Sequence, residues 1–284
     1  MFSASGARKS RRGCDAPGLR YVCIMTVTAS AVPAKPPNNL VGLALLAAFA
    51  GLAVALAQTS GARTPLTFAF VMVGWVLAVM AHEFAHAFVA HVAGDTSVKA
   101  KGYLSFDPRR YGDLATSLVI PLIALALGGI GFPGGAVYLR NDLMRSRAWR
   151  AAASLAGPGA TLVVLLLLAA LLGALTRSDA PPGALFQALA MLAFLQAMAL
   201  VLNLLPVPGL DGFNALRPYL PETWGPAIRK AEGVAMLALL AALLFVPGVG
   251  GLLFGIAADL TAGLGVPRAA IGGGWAAFHF WKGG

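Results

Sequence analysis

Residues 65–81 carry no charged side chain, and three ionisable groups then follow inside a single helical turn and a half: His82, Glu83 and His86. An uncharged stretch of this length belongs either in a large buried core or in a bilayer. Composition decides between them. Of 284 residues, 58% are hydrophobic and only 11% are charged, whereas ordinary soluble domains carry roughly 25% charged residues. A soluble core cannot hide that much apolar surface, so the chain reads as a polytopic membrane protein. Ionisable groups deep in an apolar helix are costly, and their default reading is functional.

The three groups form a pattern. At about 100° per residue, His82 and His86 lie about 40° apart on one helical face, one turn from each other. Glu83 sits about 100° round from His82, within reach of anything held by the pair. This is H-E-x-x-H: two imidazoles able to bind zinc, one ion per chain, and a carboxylate able to activate water beside it. His91 lies about 140° round from His86 and reads as an interfacial side chain near the helix end.

Hydropathy divides the chain into about six apolar segments: 40–58, 65–92, 113–132, 151–175, 182–205 and 233–246. The expected fold is therefore all-α and polytopic, with residues 39–260 as one membrane domain. Residues 1–38 read as a disordered basic cytoplasmic tail, with Arg8, Lys9, Arg11, Arg12, Arg20 and Lys35 against Asp15. Residues 261–284 read as a C-terminal tail. After the HExxH helix, Val98, Ala100, Leu104 and Phe106 alternate with Ser97, Lys99, Lys101, Tyr103 and Ser105. That period of two predicts a strand or a small membrane-associated hairpin over 97–106, an edge able to capture an extended peptide, with a plain interfacial loop as the other reading.

The chain has 21 Lys and Arg against 11 Asp and Glu, a formal net charge of +10. A nucleic-acid partner would need a clustered basic face among polar neighbours, and none is present. The cations sit instead in short loops between apolar runs, above all Arg140, Arg145, Arg147 and Arg150. This is the mark of cytoplasmic loops facing anionic lipid, and it places the N-terminus in the cytoplasm of a multi-pass plasma-membrane protein. Cys14 and Cys23, both in the tail, make neither a zinc site nor a disulfide framework.

Catalytic zinc commonly takes three protein ligands, and HExxH supplies two. Most remaining acids sit in polar loops beside basic residues. Asp211 does not: it follows an apolar span directly, between Leu210 and Gly212, where Pro206 and Pro208 unwind the helix. Unwound backbone at membrane depth is tolerated only where it is buried in protein or lines a cavity, so Asp211 stands out as the third ligand. Asn203 lies on the same segment, and its amide is a candidate donor to a carbonyl.

Three motifs in order, His82-Glu83-Phe84-Ala85-His86, then Ala156-Gly157-Pro158, then Asn203 through Pro206 to Leu210-Asp211-Gly212, resemble those of the site-2 protease family of intramembrane zinc metalloproteases, in its compact branch without PDZ or CBS domains. The resemblance covers about residues 65–218. It implies His82, His86 and Asp211 as zinc ligands, Glu83 as general base, and Asn203 as an aid to substrate or oxyanion binding. It also implies a zinc metalloendopeptidase whose substrates are single-pass transmembrane proteins, cleaved in or near the bilayer. Where the family has an Asn shortly after Ala-Gly-Pro, this chain has Gly159-Ala160-Thr161. Where that branch has a Trp-Ala-Lys-Pro-Val-Pro-like run, residues 131–137 differ. The rival readings are a non-proteolytic zinc-binding membrane protein and a small permease, although permeases often show internal repeats and none is visible here.

Topology adds one expectation. If Asp211 shares a metal with His82 and His86, segments 65–92 and 182–205 run the same way across the bilayer. Segment 151–175 then runs against both, starting from the arginine-rich loop. Parity makes 113–132 enter and leave on one side, broken at Pro121, Gly128, Gly129 and Gly131, with an ordinary span of about 20 apolar residues as the other reading.

Overall fold

A computed structural model of the chain describes residues 39–58, 65–111, 138–177 and 183–279. Nine α-helices occur among these residues: α1 (Leu40–Ala57), α2 (Pro65–Ala93), α3 (Ser97–Ala100), α4 (Arg147–Leu175), α5 (Ala184–Asn203), α6 (Asp211–Leu216), α7 (Gly225–Phe245), α8 (Val249–Gly263) and α9 (Arg268–Phe278). Four of them, α1, α2, α4 and α5, are long and apolar enough to cross a membrane. The bent pair formed by 222–245 and α8 makes a fifth if counted as one span. The sequence suggested about six segments; one of these, 113–132, lies outside the described residues, as does the basic tail 1–38.

The helix ends follow local chemistry. Pro65 opens α2 at the position where its missing N–H costs nothing. Ser146 caps α4, its hydroxyl accepting from the Trp149 amide at 3.3 Å. Pro206 and Pro208 follow α5 and cannot extend it. Gly248, at φ +87°, separates α7 from α8, and the two helices meet at 87°. The helix that starts at Gly225 is thus broken at 246–248, and the chain continues as α8 in a new direction.

The core is built round α5. Its most apolar stretch is 83% buried, against 11% for α1. α2, α4, α8 and α9 pack on α5, and α1 lies outside against α2. The outer faces stay apolar: Leu40, Leu43 and Leu46 on α1, and Val163, Leu166 and Leu167 on α4, are all exposed. An apolar exterior over helices of this length belongs in lipid, and the protein is a membrane protein. The segment read as a C-terminal tail contains α9, whose Ala270, Ile271, Ala277 and Phe278 are buried.

Contacts give the relative directions. Along α4, Ala153 meets His86 and Thr161 meets His82, so α4 runs against α2. Gly74 on α2 packs on Leu192 of α5, where a Cβ would lie 2.6 Å from Leu192 Cδ2. Further along both helices, His82 and Asn203 line one cavity, so α2 and α5 run the same way. The end of α2 and the approach to α4 are tied together: the Arg145 amide donates to the Ala93 carbonyl at 3.0 Å.

The strand or hairpin expected over 97–106 is a correction. No strand occurs among the described residues. Asp95 is the cause: its carboxylate accepts from the Ser97 amide at 2.9 Å and the Ser97 hydroxyl at 2.6 Å, starting the one-turn helix α3. Its other oxygen accepts from the Arg140 amide at 2.7 Å. Gly102, at φ +78°, then reverses the chain. Beyond it Tyr103, Ser105 and Asp107 are buried while Phe106 is exposed, so the alternation survives with its faces exchanged. The Tyr111 hydroxyl donates to the Ser105 carbonyl, and Phe106 stacks on Phe84 of the HExxH helix at 4.7 Å. This compact turn leaves no free edge for an extended peptide.

Candidate metal centre

His82 and His86 leave α2 one turn apart, with ring centroids 4.7 Å from each other. Their Nε2 atoms are 3.0 Å apart. Asp211, 129 residues on from His82, brings its Oδ2 to 3.1 Å from His82 Nε2 and 3.4 Å from His86 Nε2. Among the described residues this is the one group of three or more metal-ligating side chains close enough to hold an ion. His91 is not part of it.

The donor set suits zinc. Two imidazoles and a carboxylate are one of the usual three-ligand catalytic sets. Bonds of ~2.0–2.1 Å in tetrahedral geometry separate ligand atoms by about 3.3 Å, and the three observed separations bracket that value. Each ring is also held from behind. His86 Nδ1 donates to the Ala153 carbonyl at 2.7 Å. A carbonyl only accepts, so the neutral ring keeps its Nε2 lone pair for the metal side. His82 Nδ1 lies 2.9 Å from the Thr161 hydroxyl. Such partners fix ring orientation in metal sites.

The supporting atoms share one face of α4: Ala153, Gly157 and Thr161 are spaced four residues apart. Gly157 makes the approach possible. A Cβ there would lie 2.1 Å from His86 Nε2 and 2.5 Å from His82 Nε2. Both Gly157 and Gly159 are small enough to make room for a neighbouring helix. Only Gly157 does; among the described residues a Cβ on Gly159 would meet nothing within 4 Å.

Asp211 is delivered by unwound chain. After α5 the backbone passes Pro206 and Pro208, turns at Gly209 (φ +101°) and is extended at Leu210 before α6 begins on Asp211. Gly212 lets that first turn press on the end of α5, since a Cβ there would lie 2.3 Å from the Leu204 carbonyl oxygen. Glu83 (4% exposed) and Asn203 (5% exposed) are both buried. Both line the same cavity of about 570 Å³ as the three candidate ligands.

Thr161 was missed as a site residue. It stands in the run 159–161, where the family motif departs. The signal was present: Thr161 is one turn beyond Gly157 in a helix whose remaining residues to Leu175 are almost wholly apolar.

A polar, partly buried cavity with zinc-compatible donors and an adjacent carboxylate, lined in part by three membrane-length helices, defines a class: membrane-bound metallohydrolases. Relatives narrow it. A protein of Mycobacterium tuberculosis named "Putative zinc metalloprotease Rip2" is 42% identical over 265 residues, 91% of this chain and 99% of the relative. A protein of the same name from Mycolicibacterium smegmatis is 46% identical over 194 residues, covering 66% of this chain and 72% of that one. A Bacillus subtilis protein, zinc metalloprotease YwhC by the same form of name, is 27% identical over 187 residues, 64% of this chain and 82% of its own. No family model and no solved structure matches the chain. The chain belongs to the site-2 protease family; it is a zinc metalloprotease, a hydrolase of peptide bonds with Zn²⁺ as its cofactor.

Proposed function

We propose that this protease is an endopeptidase that cleaves single-pass transmembrane proteins in or next to the bilayer. In this reading His82, His86 and Asp211 hold the zinc, Glu83 is the general base, and Asn203 binds the substrate carbonyl. The observation that carries it is the placement of the three converging donors and Glu83 in one cavity lined by the membrane-length helices α2, α4 and α5 together with the segments 138–141 and 209–228. A substrate that reaches that cavity laterally is itself in the membrane.

Zinc, when bound, acts as a Lewis acid that brings water toward a pKa of ~7 and polarises the scissile carbonyl. Glu83 takes the proton of the attacking water as the new C–O bond forms. It then delivers that proton to the leaving amine nitrogen as the C–N bond breaks. Asn203 donates to the carbonyl oxygen as negative charge develops there, a contribution worth ~10²–10³-fold in comparable oxyanion sites. Thr161 and the Ala153 carbonyl keep the imidazoles aimed. The substrate must unwind locally, since a helical peptide hides its carbonyls.

The topology belongs to the same proposal. The N-terminus is cytoplasmic, α2 and α5 run from outside to inside, and α4 runs from inside to outside from its arginine-rich start. The flanks of 112–137 lie together, with Lys101 Nζ donating to the Tyr138 carbonyl at 2.7 Å. Lys101, Tyr138 and Arg140 are therefore proposed to lie together at the cytoplasmic face; segment 113–132 itself lies outside the described residues. An Arg140→Cys variant in a Cys14→Ser, Cys23→Ser background tests this: labelling from outside intact cells rejects it.

The test of function compares membrane proteomes of cells expressing the wild-type chain or Glu83→Gln. New protein N-termini inside hydrophobic segments are expected with the wild type. They should vanish in Glu83→Gln while its zinc content is unchanged. New termini confined to water-soluble domains, or persisting in the variant, reject the reading.

A further inference from the structure

The wall of the cavity holds two polar groups that the chemistry above does not use. Trp75 on α2 and Gln196 on α5 both line it. Each residue is 2% exposed, and among the described residues neither Trp75 Nε1 nor Gln196 Nε2 has a hydrogen-bond partner. A buried donor without a partner is costly and uncommon in native structures.

Their positions match. Trp75 precedes His82 by seven residues, and Gln196 precedes Asn203 by seven. Seven residues are two helical turns, so each lies on nearly the same face as the site residue it precedes, ~10.5 Å back along the helix. α2 and α5 run the same way with Gly74 against Leu192; Trp75 lies ~1.5 Å and Gln196 ~6 Å past that contact, so the two stand on adjacent turns about 4.5 Å apart in height. Between these turns and the metal centre the wall is small and apolar: Ala78, Val79 and Ala199. The cavity thus has two polar stations about 10 Å apart, separated by a smooth apolar strip.

We infer that Trp75 and Gln196 form a substrate-positioning station that holds a main-chain carbonyl about three residues from the scissile bond. The inference rests on the reading of His82, His86, Asp211 and Glu83 as a peptide-cleaving centre. An extended peptide advances ~3.3 Å per residue, so three residues span the strip. The indole N–H only donates, and the glutamine amide is neutral. Together they suit an uncharged acceptor, which is what an unwound apolar segment offers along its backbone. A helical segment would need about seven residues for the same distance, with its carbonyls already bonded. The station therefore selects substrates already extended for three residues on that side of the cleaved bond.

The test uses the full-length, zinc-loaded protein in detergent micelles and isothermal titration calorimetry. The probes are acetohydroxamate and two series of alanine–leucine peptide hydroxamates lengthened one residue at a time. One series extends from each side of the zinc-binding group. We expect affinity to step up about 3- to 10-fold, the value of one or two neutral hydrogen bonds, at the third or fourth residue of one series. Gln196→Met, which keeps the shape and loses the donor, and Trp75→Phe, which keeps an aromatic ring and loses the N–H, should each erase the step while acetohydroxamate binds within twofold of wild type. That control also reports that each variant is folded. On the unaltered protein, replacing the third-residue amide of the probe by an ester, a weaker acceptor, should shrink the step. A smooth rise of affinity with length, or a step that survives both variants and the ester, overturns the station. Failure of acetohydroxamate to bind the wild type, or binding without zinc, overturns the metal-centre reading instead.

Discussion

Replacing Gly157 by Ala adds one methyl group where there is no room for it. That carbon would lie 2.1 Å from His86 Nε2, 2.5 Å from His82 Nε2 and 2.7 Å from His82 Cδ2. Ordinary van der Waals contact begins at 3.4 Å, so rings or helix must part by about 1.3 Å, the difference between that limit and 2.1 Å. The rings cannot swing freely, because their Nδ1 atoms are tied to Ala153 and Thr161. Both ties are to α4, the helix that would have to withdraw, so retreat of α4 breaks the same bonds. Metal–ligand distances tolerate only ~0.2 Å. Loss of supporting partners alone costs ~10–100-fold in metal affinity, or about 1.4–2.7 kcal/mol, and Gly157→Ala should lose at least that. The helix itself should not suffer, since Ala is favoured over Gly in a helix interior by ~1 kcal/mol. Gly159→Ala is the control: same helix, same change, no contact within 4 Å among the described residues. The assay is zinc per protein by mass spectrometry after dialysis against graded chelator, alongside thermal unfolding. Gly159→Ala should keep wild-type zinc and an equal or higher Tm, while Gly157→Ala releases zinc to far weaker chelator. Wild-type zinc retention in Gly157→Ala would refute the close approach of α4 to α2.

Thr161→Val keeps the shape of a buried side chain and removes the hydroxyl beside His82 Nδ1; zinc affinity should fall ~10-fold or more in the same chelator competition, with Tm of the zinc-free protein little changed. Asp211→Asn should abolish zinc retention at chelator concentrations the wild type survives, because a neutral amide replaces the charged ligand; unchanged retention would remove Asp211 from the metal centre. Asp95→Ala leaves the Ser97 and Arg140 amides without their acceptor, at a cost of about 1–3 kcal/mol; trypsin should cut faster after Lys99 and Lys101 while zinc content stays unchanged.

Much of this protein could be read without coordinates, for a physical reason that differs from feature to feature. Membrane class followed from composition, because solvent preference is a property of side chains and not of their arrangement. The pairing of His82 with His86 was equally legible, since residues four apart in a helix are neighbours whatever surrounds them. Asp211 was singled out by an argument about cost: an acid on unwound backbone after an apolar span needs a partner. Its meeting with the imidazoles is a contact across 129 residues, and helix packing alone produces it. Packing also decided between two glycines that look alike in the sequence, Gly157 against the rings and Gly159 facing open space, because two residues turn a helix by about 200°. The expected strand at 97–106 was lost to Asp95, whose buried carboxylate gathers amides from both sides of a long connection. Alternation along a strand can show a period of two, but which face turns inward is set by what lies beneath, and here that is Tyr103, Ser105 and Asp107. Thr161 became a support for His82 only because α4 runs antiparallel to α2 at contact distance; in any other packing it would be one hydroxyl in an apolar helix.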